Sequence, residues 1–416
     1  MIVTALWPGL MWLAGLHWLV LAAELWLALP LAYLGLLAVS AAIEGRRRAR
    51  APLPPAPGER APRLAVLIPA HDEEELLPAL LASLKRQTYP RERFEVCVVA
   101  DNCTDRTAEI ARAAGVQAFE RHDTVRRGKG YALNWVLAEL ETREQRYDGY
   151  LVFDADSVVE PGFLAAMAAE LARGARACQG SNTVLNTTES PSTVLRWLAL
   201  TLMNHVRPLG RNSLGGSSAL TGNGMCLSRS LLERFPWEAF GVAEDYQYYL
   251  QIVTAGERVR YVPAAVVRSH MPTSFDQMRS QDVRWESSAP ETPRWQVALA
   301  LLRAGLRERD RVRLDALAEL LAPTLSRLAG GVALVVVLAA LVGTPLEWAL
   351  AGALLALLLL YAGSALYTLR PGAAVYRALL YAPGYMAWKL WVQIVLRRSK
   401  RHAGTWVRTR RPAEAQ

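Results

Sequence analysis

Leu151-Val152-Phe153-Asp154-Ala155-Asp156-Ser157 is the stretch on which the rest of the chain is organised. Three apolar residues run into two aspartates spaced i, i+2. In a strand, residues two apart share a face. If the strand ends here, Asp154 and Asp156 can approach one cation from one side. Two hard carboxylates suit Mg²⁺ or Mn²⁺, held together with substrate phosphates. Taken alone, the pattern is more simply an acidic turn after a buried strand. Its surroundings change that.

Outward from this stretch, strand-like and helix-like segments alternate. Residues 64–69 are a continuous apolar run, as expected for a strand covered on both faces. Residues 73–86 carry Leu76, Leu77, Leu80, Leu81 and Leu84 on one helical stripe. A second strand is expected over 94–100, ending at Asp101. Helices are expected over 104–114 and 128–144, with a short strand over 116–121 between them. The aspartate-bearing strand covers 149–153, and Pro161 opens the next helix. Strand character returns over 175–185 and 259–268. A helix and loop are expected over 190–213, and helices over 244–255 and 274–288. The alternation predicts an α/β fold with a doubly wound, mostly parallel sheet. Ligands of such sheets sit at the carboxyl ends of the strands, where Asp101, Asp154 and Asp156 fall.

The two ends of the chain differ from this middle. The sequence has 416 residues, is 52% hydrophobic and carries a net charge of +9. Over 2–43 the charged residues reduce to Glu24, with His17 besides, and 328–369 is nearly charge-free. A membrane span needs about 20 apolar residues, so both ends are expected to enter a bilayer. The first stretch is too long for a signal peptide, and no A-x-A site follows it. Pro8-Gly9 and Pro30 are its candidate breaks, with one span expected within 20–43. The arginines cluster: Arg46, Arg47, Arg48 and Arg50 after the first stretch, Arg397, Arg398, Arg401, Arg408, Arg410 and Arg411 in the tail. Basic flanks stay cytoplasmic, which makes this a multi-pass protein of the inner (plasma) membrane with a cytosolic middle. The membrane flanks account for the basic balance, and no nucleic-acid motif appears. Cys97, Cys103, Cys178 and Cys226 lack C-x-x-C spacing and read as free thiols of a reducing compartment.

These shifts divide the chain into an N-terminal transmembrane region (1–44), a basic proline-rich linker (45–62) and a cytosolic domain (63–290). Amphipathic interfacial helices (291–327), a C-terminal transmembrane region (328–396) and a basic cytosolic tail (397–416) follow. Two spans are expected after Pro290, with 375–396 lying along the interface.

Within the middle, short patterns line up in order. Pro69-Ala70-His71-Asp72-Glu73-Glu74 and Asp101-Asn102-Cys103-Thr104-Asp105 each follow a strand. Gly128-Lys129-Gly130-Tyr131 is neither a P-loop nor a G-x-G-x-x-G fingerprint. Then come the D-A-D itself, Ala243-Glu244-Asp245, and Gln281-Asp282-Val283-Arg284-Trp285. Each is weak alone. The ordered set D-x-D, E-D and Q-x-x-R-W resembles the membrane-embedded family 2 glycosyltransferases of GT-A fold, the group that includes cellulose, chitin and hyaluronan synthases and ceramide glucosyltransferase. The resemblance covers roughly residues 63–290.

That resemblance implies a UDP-sugar donor, a lipid or glycan acceptor and a Mg²⁺ or Mn²⁺ cofactor. Pro69, Glu73 and Asp101 would hold the uridine, with Asp72 standing where an asparagine is more usual. Lys129 would approach the diphosphate, and Asp154 and Asp156 would bind donor and metal. Asp245 would be the general base. Glu244, Gln281, Arg284 and Trp285 would lie at the acceptor and diphosphate end, and Trp406 and Arg408 of the tail would close over the nucleotide. The chemistry of these residue types agrees. A metal, a lysine and an arginine can stabilise a departing diphosphate. A carboxylate on the opposite face can take the proton of an attacking hydroxyl, and one-step attack inverts the anomeric centre. A tryptophan offers a sugar a flat apolar face. His270 is a further candidate ligand for the metal. The alternatives are a processive polysaccharide synthase with coupled export, or a membrane scaffold or transport subunit built on a degenerate transferase domain.

Overall fold

The computed structural model describes residues 2–50, 61–271 and 292–398. Its centre is one eight-stranded sheet in the order β3-β2-β1-β4-β7-β6-β8-β5. The strands are β1 (Leu64–Ala70), β2 (Phe94–Asp101), β3 (Gln117–Arg121), β4 (Gly149–Val152), β5 (Ser157–Val159), β6 (Ala177–Val184), β7 (Met225–Ser228) and β8 (Val259–Ser269). Strands β3, β2, β1 and β4 run parallel, as do β6 and β8. Strands β7 and β5 enter antiparallel. The sheet is mostly parallel, as the βα alternation predicts.

Strand β1 shows why its sequence is a continuous apolar run. Leu64, Val66 and Ile68 face a core completed by Leu77, Leu80 and Leu84 of α2 (Leu77–Lys85), Ala111 of α3 (Thr107–Ala113) and Phe163 and Met167 of α5 (Phe163–Ala172). Ala65 and Leu67 face the other core, with Leu133 and Val136 of α4 (Lys129–Glu141) and Tyr248 and Ile252 of α9 (Glu244–Thr254). Side chains alternate across a strand, so a strand covered twice must be apolar at every position.

Several expectations shift in detail. The first apolar stretch is unbroken: α1 runs from Ile2 to Ala49, through Pro8-Gly9 and Pro30. The helix expected over 73–86 starts only at Leu77, because 72–76 form a turn whose carbonyl at Glu73 accepts from Leu76 and Leu77. Residues 190–213 are helical to their end, as α6 (Pro191–Thr201), a π-helical turn (Leu202–Val206) and α7 (Arg207–Ser213). Pro208 has no N–H to return to Asn204, and the turn before it is widened. Strands β5 and β7 and the six-residue α8 (Arg229–Arg234) are additional to the expected elements.

Within 292–327 lie α10 (Arg294–Arg307) and α11 (Arg311–Leu321), which pack one side on the domain and leave Trp295, Leu302, Leu306 and Leu321 exposed. Val297, Leu301, Ala316 and Leu320 join the core on the α9 side. Helices α12 (Leu325–Val342) and α13 (Pro345–Leu369) pack with α1 around Leu27, Leu31, Leu34, Leu328, Val332 and Tyr361. Residues 373–398 divide into α14 (Ala373–Ala378), a 3₁₀ turn (Leu379–Tyr381) and α15 (Ala382–Arg398). By length and composition, Gly15–Ala49 and α13 can each cross a membrane, and α12 reaches that standard together with α11, across a 64° bend. Helix α7 joins the two parts of the molecule. A Cβ at Gly210 would fall 2.4 Å from the Leu37 carbonyl oxygen, so only glycine lets α7 lie against α1.

Candidate active site

Because β1, β2 and β4 are parallel, the loops that leave their carboxyl ends share one edge of the sheet. Pro69 lies opposite Val99, one step inside that edge. Beyond it, Asp72 and Asn102 both take left-handed backbone, φ 54° each, a region Asp and Asn enter more readily than other L-residues. The Asp72 carboxylate accepts from the Thr104 N–H at 2.7 Å. Asp105 accepts from the Glu74 N–H at 3.0 Å and the Thr107 N–H at 2.9 Å. The Glu73 N–H donates to Thr107 Oγ1 at 2.8 Å. Asp72, Cys103 and Asp105 thus lie within 4.8 Å of one another, as loop-capping groups already occupied by backbone donors. Asp101 is buried against Arg121, 2.6 Å from its Nη1. Burial pushes its carboxyl up, against the pull of the Arg121 hydrogen bond and charge.

Asp154 and Asp156 stand past the end of β4, in the turn that leads to β5, and not on a strand face. The Phe153 N–H still reaches Leu67 O (3.1 Å), and the Ser157 N–H closes the turn on Asp154 O (3.2 Å). Asn223 holds this turn. Its Oδ1 accepts from the Asp154 N–H at 3.2 Å, and its Nδ2 donates to Ser157 Oγ (2.9 Å) and Ser269 Oγ (2.8 Å). Asn223 is buried. Its only mark in the sequence is its place between Gly222 and Gly224.

Lys129, the first residue of α4, meets this turn. Its Nζ donates to Asp154 Oδ1 (2.5 Å) and Gly222 O (2.9 Å) and lies 3.9 Å from Glu244 Oε1. Glu244 and Asp245 open α9, where the helix dipole favours acids. Asp245 Oδ1 accepts from the Tyr246 N–H at 2.7 Å. Its Oδ2 faces the 221–224 loop: a Cβ on Gly222 would fall 2.8 Å from it and 3.1 Å from Lys129 Nζ. Gly222 also has φ +72°, so both conformation and space demand glycine there. Burial would lower the Lys129 ammonium, but Asp154, Glu244 and Asp245 outweigh it and raise it. Burial lifts the Asp245 carboxyl, with Lys129 opposing the lift and Asp154 adding to it. Glu244 is lifted by burial and by Asp245.

The structure therefore brings together Lys129, Asp154, Glu244 and Asp245, residues from three separate sequence patterns. Pro69, Glu73 and Asp101 lie along the same sheet edge, on the β1 and β2 side. For a divalent cation, the donor set fits. The 154–157 turn carries two carboxylates, Asp154 and Asp156, the ligands hard cations take, and the Asp154 carboxylate is 42% exposed. His270 follows Ser269, which pairs with Ser157, and so stands beside the same turn. Gln281, Arg284, Trp285, Trp406 and Arg408 lie outside the described residues.

A family model, glycosyltransferase-like family 2, matches residues 62–288. The chain belongs to that family. It is similar to the probable glycosyltransferase YdaM of Bacillus subtilis, 27% identical over 237 residues, covering 54% of each chain. It is also similar to the beta-monoglucosyldiacylglycerol synthase of Synechocystis, 35% identical over 109 residues, 25% of this chain and 22% of that one. The chain thus spans about half the length of the first of these family members and less of the second. Among solved structures, a mannosyltransferase from Pyrobaculum calidifontis, determined with GDP-Man and Mn²⁺, shares the fold. The TM-score is 0.50 at 21% identity, over 89% of this chain and 98% of that one.

Proposed function

We propose that this family 2 chain is an inverting, metal-dependent transferase. It moves a sugar from a UDP-sugar to a hydroxyl of a membrane-associated lipid or glycan. The observation that carries the reading is Lys129, held between Asp154 at the end of β4 and the Glu244-Asp245 pair at the start of α9. It sits where a doubly wound sheet receives its ligand.

The acceptor hydroxyl attacks the anomeric carbon, its proton passes to Asp245, and the bond to the diphosphate breaks on the far side, so the centre inverts. The raised Asp245 carboxyl suits this role, because a base of higher pKa holds the transferred proton better. The Lys129 ammonium, freed from Asp154 when the donor arrives, meets the diphosphate charge as it develops. When bound, a divalent cation on Asp154 and Asp156 would neutralise diphosphate charge. In this reading Pro69, Glu73 and Asp101 hold the nucleoside; the roles of Gln281, Arg284 and Trp285 at the acceptor rest on their sequence pattern alone.

Membrane attachment is part of the proposal. Helix α1 leaves Trp18, Leu19, Leu25, Trp26 and Leu29 exposed, and Leu334, Leu341 and Leu359 are exposed on α12 and α13. A bilayer covers such a surface at no desolvation cost. The basic residues at the end of α1, Arg46, Arg47 and Arg48, support a cytosolic transferase domain. The two or three candidate spans among the described residues are few for an export channel, which favours single transfer over processive synthesis. The test is to incubate the purified protein with a panel of UDP- and GDP-sugars and a membrane-lipid extract. Nucleoside diphosphate is measured, and the product is weighed by mass spectrometry. A glycosylated lipid with UDP release supports the reading, and release of neither UDP nor GDP from any donor refutes it.

A further inference from the structure

The segment that leads into α9 crosses the start of α4, and the 128–134 pattern receives it. Gly130 lies directly under residues 239–240. A Cβ there would overlap the Ala239 carbonyl oxygen and sit 3.1 Å from Phe240 Cα. Closeness of approach is what demands glycine at this position. Asn134, one turn along α4, donates from Nδ2 to Trp237 O at 2.6 Å. The Tyr131 ring stacks on Phe240, with centroids 4.4 Å apart and 11° between the planes. On its other side the segment is held by α9. The Trp237 ring lies 4.7 Å from that of Tyr248, and the Tyr248 hydroxyl donates to Phe235 O at 2.7 Å. Trp237 and Ala239 are buried.

Both helices carry their site residues in the first turn, Lys129 on α4 and Glu244 and Asp245 on α9. Neither start has a side-chain cap: the N-cap residues are Gly128 and Ala243. The first N–H groups of a helix have no intrahelical acceptor, and a missing cap weakens the turn that bears them. The apolar anchors of the two helices stand farther along, at Leu133 and Val136 on α4 and at Tyr248 and Ile252 on α9. The strap 237–240 is what ties one uncapped start to the other. It touches α4 beside Lys129 and runs on within a few residues to Glu244.

We propose that Gly130, Tyr131 and Asn134 are positioning residues: by docking the 237–240 strap on α4, they set Asp245 against Lys129. Lys129 meets the group that departs and Asp245 the hydroxyl that attacks, so the reaction depends on their mutual placement. This rests on the glycosyl-transfer reading with Asp245 as base, and adds residues that touch neither substrate.

The experiment is a double-mutant cycle on the full chain in nanodiscs. Asn134→Ala, Tyr131→Leu and Tyr131→Phe are each made in the wild-type and Asp245→Asn backgrounds. Transfer from a UDP-sugar to membrane-lipid extract is followed in single turnover, UDP binding by calorimetry and amide hydrogen exchange by mass spectrometry. In the wild-type background, Asn134→Ala and Tyr131→Leu are expected to slow transfer about tenfold or more, with UDP affinity held within about twofold. Tyr131→Phe keeps the stacked ring and is expected to recover most of the rate. In Asp245→Asn the same substitutions are expected to change the remaining rate by less than about twofold, because residues acting through one group are not additive. Exchange is expected to rise over 242–247 while 249–253 stays protected. Tyr131→Leu carries the test if Asn134→Ala misfolds. Equal slowing in both backgrounds, or unchanged exchange at the start of α9, overturns the inference. The transfer reading fails separately: exchange would rise over 242–247 as expected, yet no nucleotide sugar would be turned over.

Discussion

Replacing Gly222 by alanine tests the geometry of the site with one methyl group. Two costs arise. The first is conformational: φ is +72°, and an L-residue there costs about 1–2 kcal/mol. The second is steric. The new Cβ would lie 2.8 Å from Asp245 Oδ2, so the carboxylate must withdraw by roughly 0.6 Å to reach an ordinary contact. Asp245 is the second residue of α9 and is tied to the Tyr246 N–H, so it rotates away from the loop instead of sliding along it. Misplacement of a catalytic group by about an ångström can cost 100-fold in rate. Gly174 supplies the control. It has φ +81°, a Cβ there would meet nothing within 4 Å, and it lies after α5, away from the site. Both variants are expected to lose about 1–2 kcal/mol of stability, read by thermal unfolding. Only Gly222→Ala is expected to lose kcat, by about 100-fold, in a nucleoside-diphosphate release assay. A Gly222→Ala protein with wild-type kcat would refute the placement of Asp245 as the base.

Other outcomes follow from the same geometry. Asp154→Ala and Asp156→Ala should abolish turnover, as should EDTA on wild type, with recovery on adding Mn²⁺ or Mg²⁺; full activity in EDTA would remove the metal from the account. Asn223→Ala should cost about 1–3 kcal/mol and depress kcat, because it releases the Asp154 N–H and both serine hydroxyls; unchanged unfolding would show that the turn holds itself. The lifted Asp245 carboxyl must be ionised to act, so the acid limb of kcat/KM should lie above the ordinary aspartate value of about 3.9; a limb at or below it would contradict the burial. Glu244 is lifted too, so its ionisation costs stability. That cost is absent below the ordinary glutamate value and appears as pH rises through the folded one. The Tm difference between Glu244→Gln and wild type should therefore move in the variant's favour as pH rises through that window, and a difference moving the other way would mean that Lys129 wins over burial.

The parts of this molecule legible in its sequence are those where one residue's environment is set by local pattern. The 64–68 run announced a strand buried on both faces, because Leu64, Val66 and Ile68 serve one core and Ala65 and Leu67 the other. Lys129, Asp154, Glu244 and Asp245 were legible within separate patterns; Lys129 follows β3 and Asp154 follows β4, strands of one parallel set, and the start of α9 brings Glu244 and Asp245 to them. The parts that were not legible depend on partners far along the chain. Asn223 matters because Ser157 and Ser269 are brought to it from distant segments. Strands β5 and β7 have three and four residues, too few for a period to show. The amphipathic pattern of α10 and α11 suits a membrane surface and a protein core alike, and which residues meet the core, Val297, Leu301, Ala316 and Leu320, depends on α9 being there. Arg207 and Arg211 look like ordinary helix charges until Glu319, Asp315 and Tyr249 arrive from elsewhere.

The most direct test of the central claim is a paired measurement on Asp245→Asn: donor binding by calorimetry, and transfer with a UDP-sugar and lipid acceptor under single-turnover conditions. The substitution keeps the size of the side chain and removes its capacity to take a proton. The account expects donor affinity within about threefold of wild type and a transfer rate lower by at least about 100-fold. Transfer at the wild-type rate, or loss of donor binding with the rate kept, would contradict it.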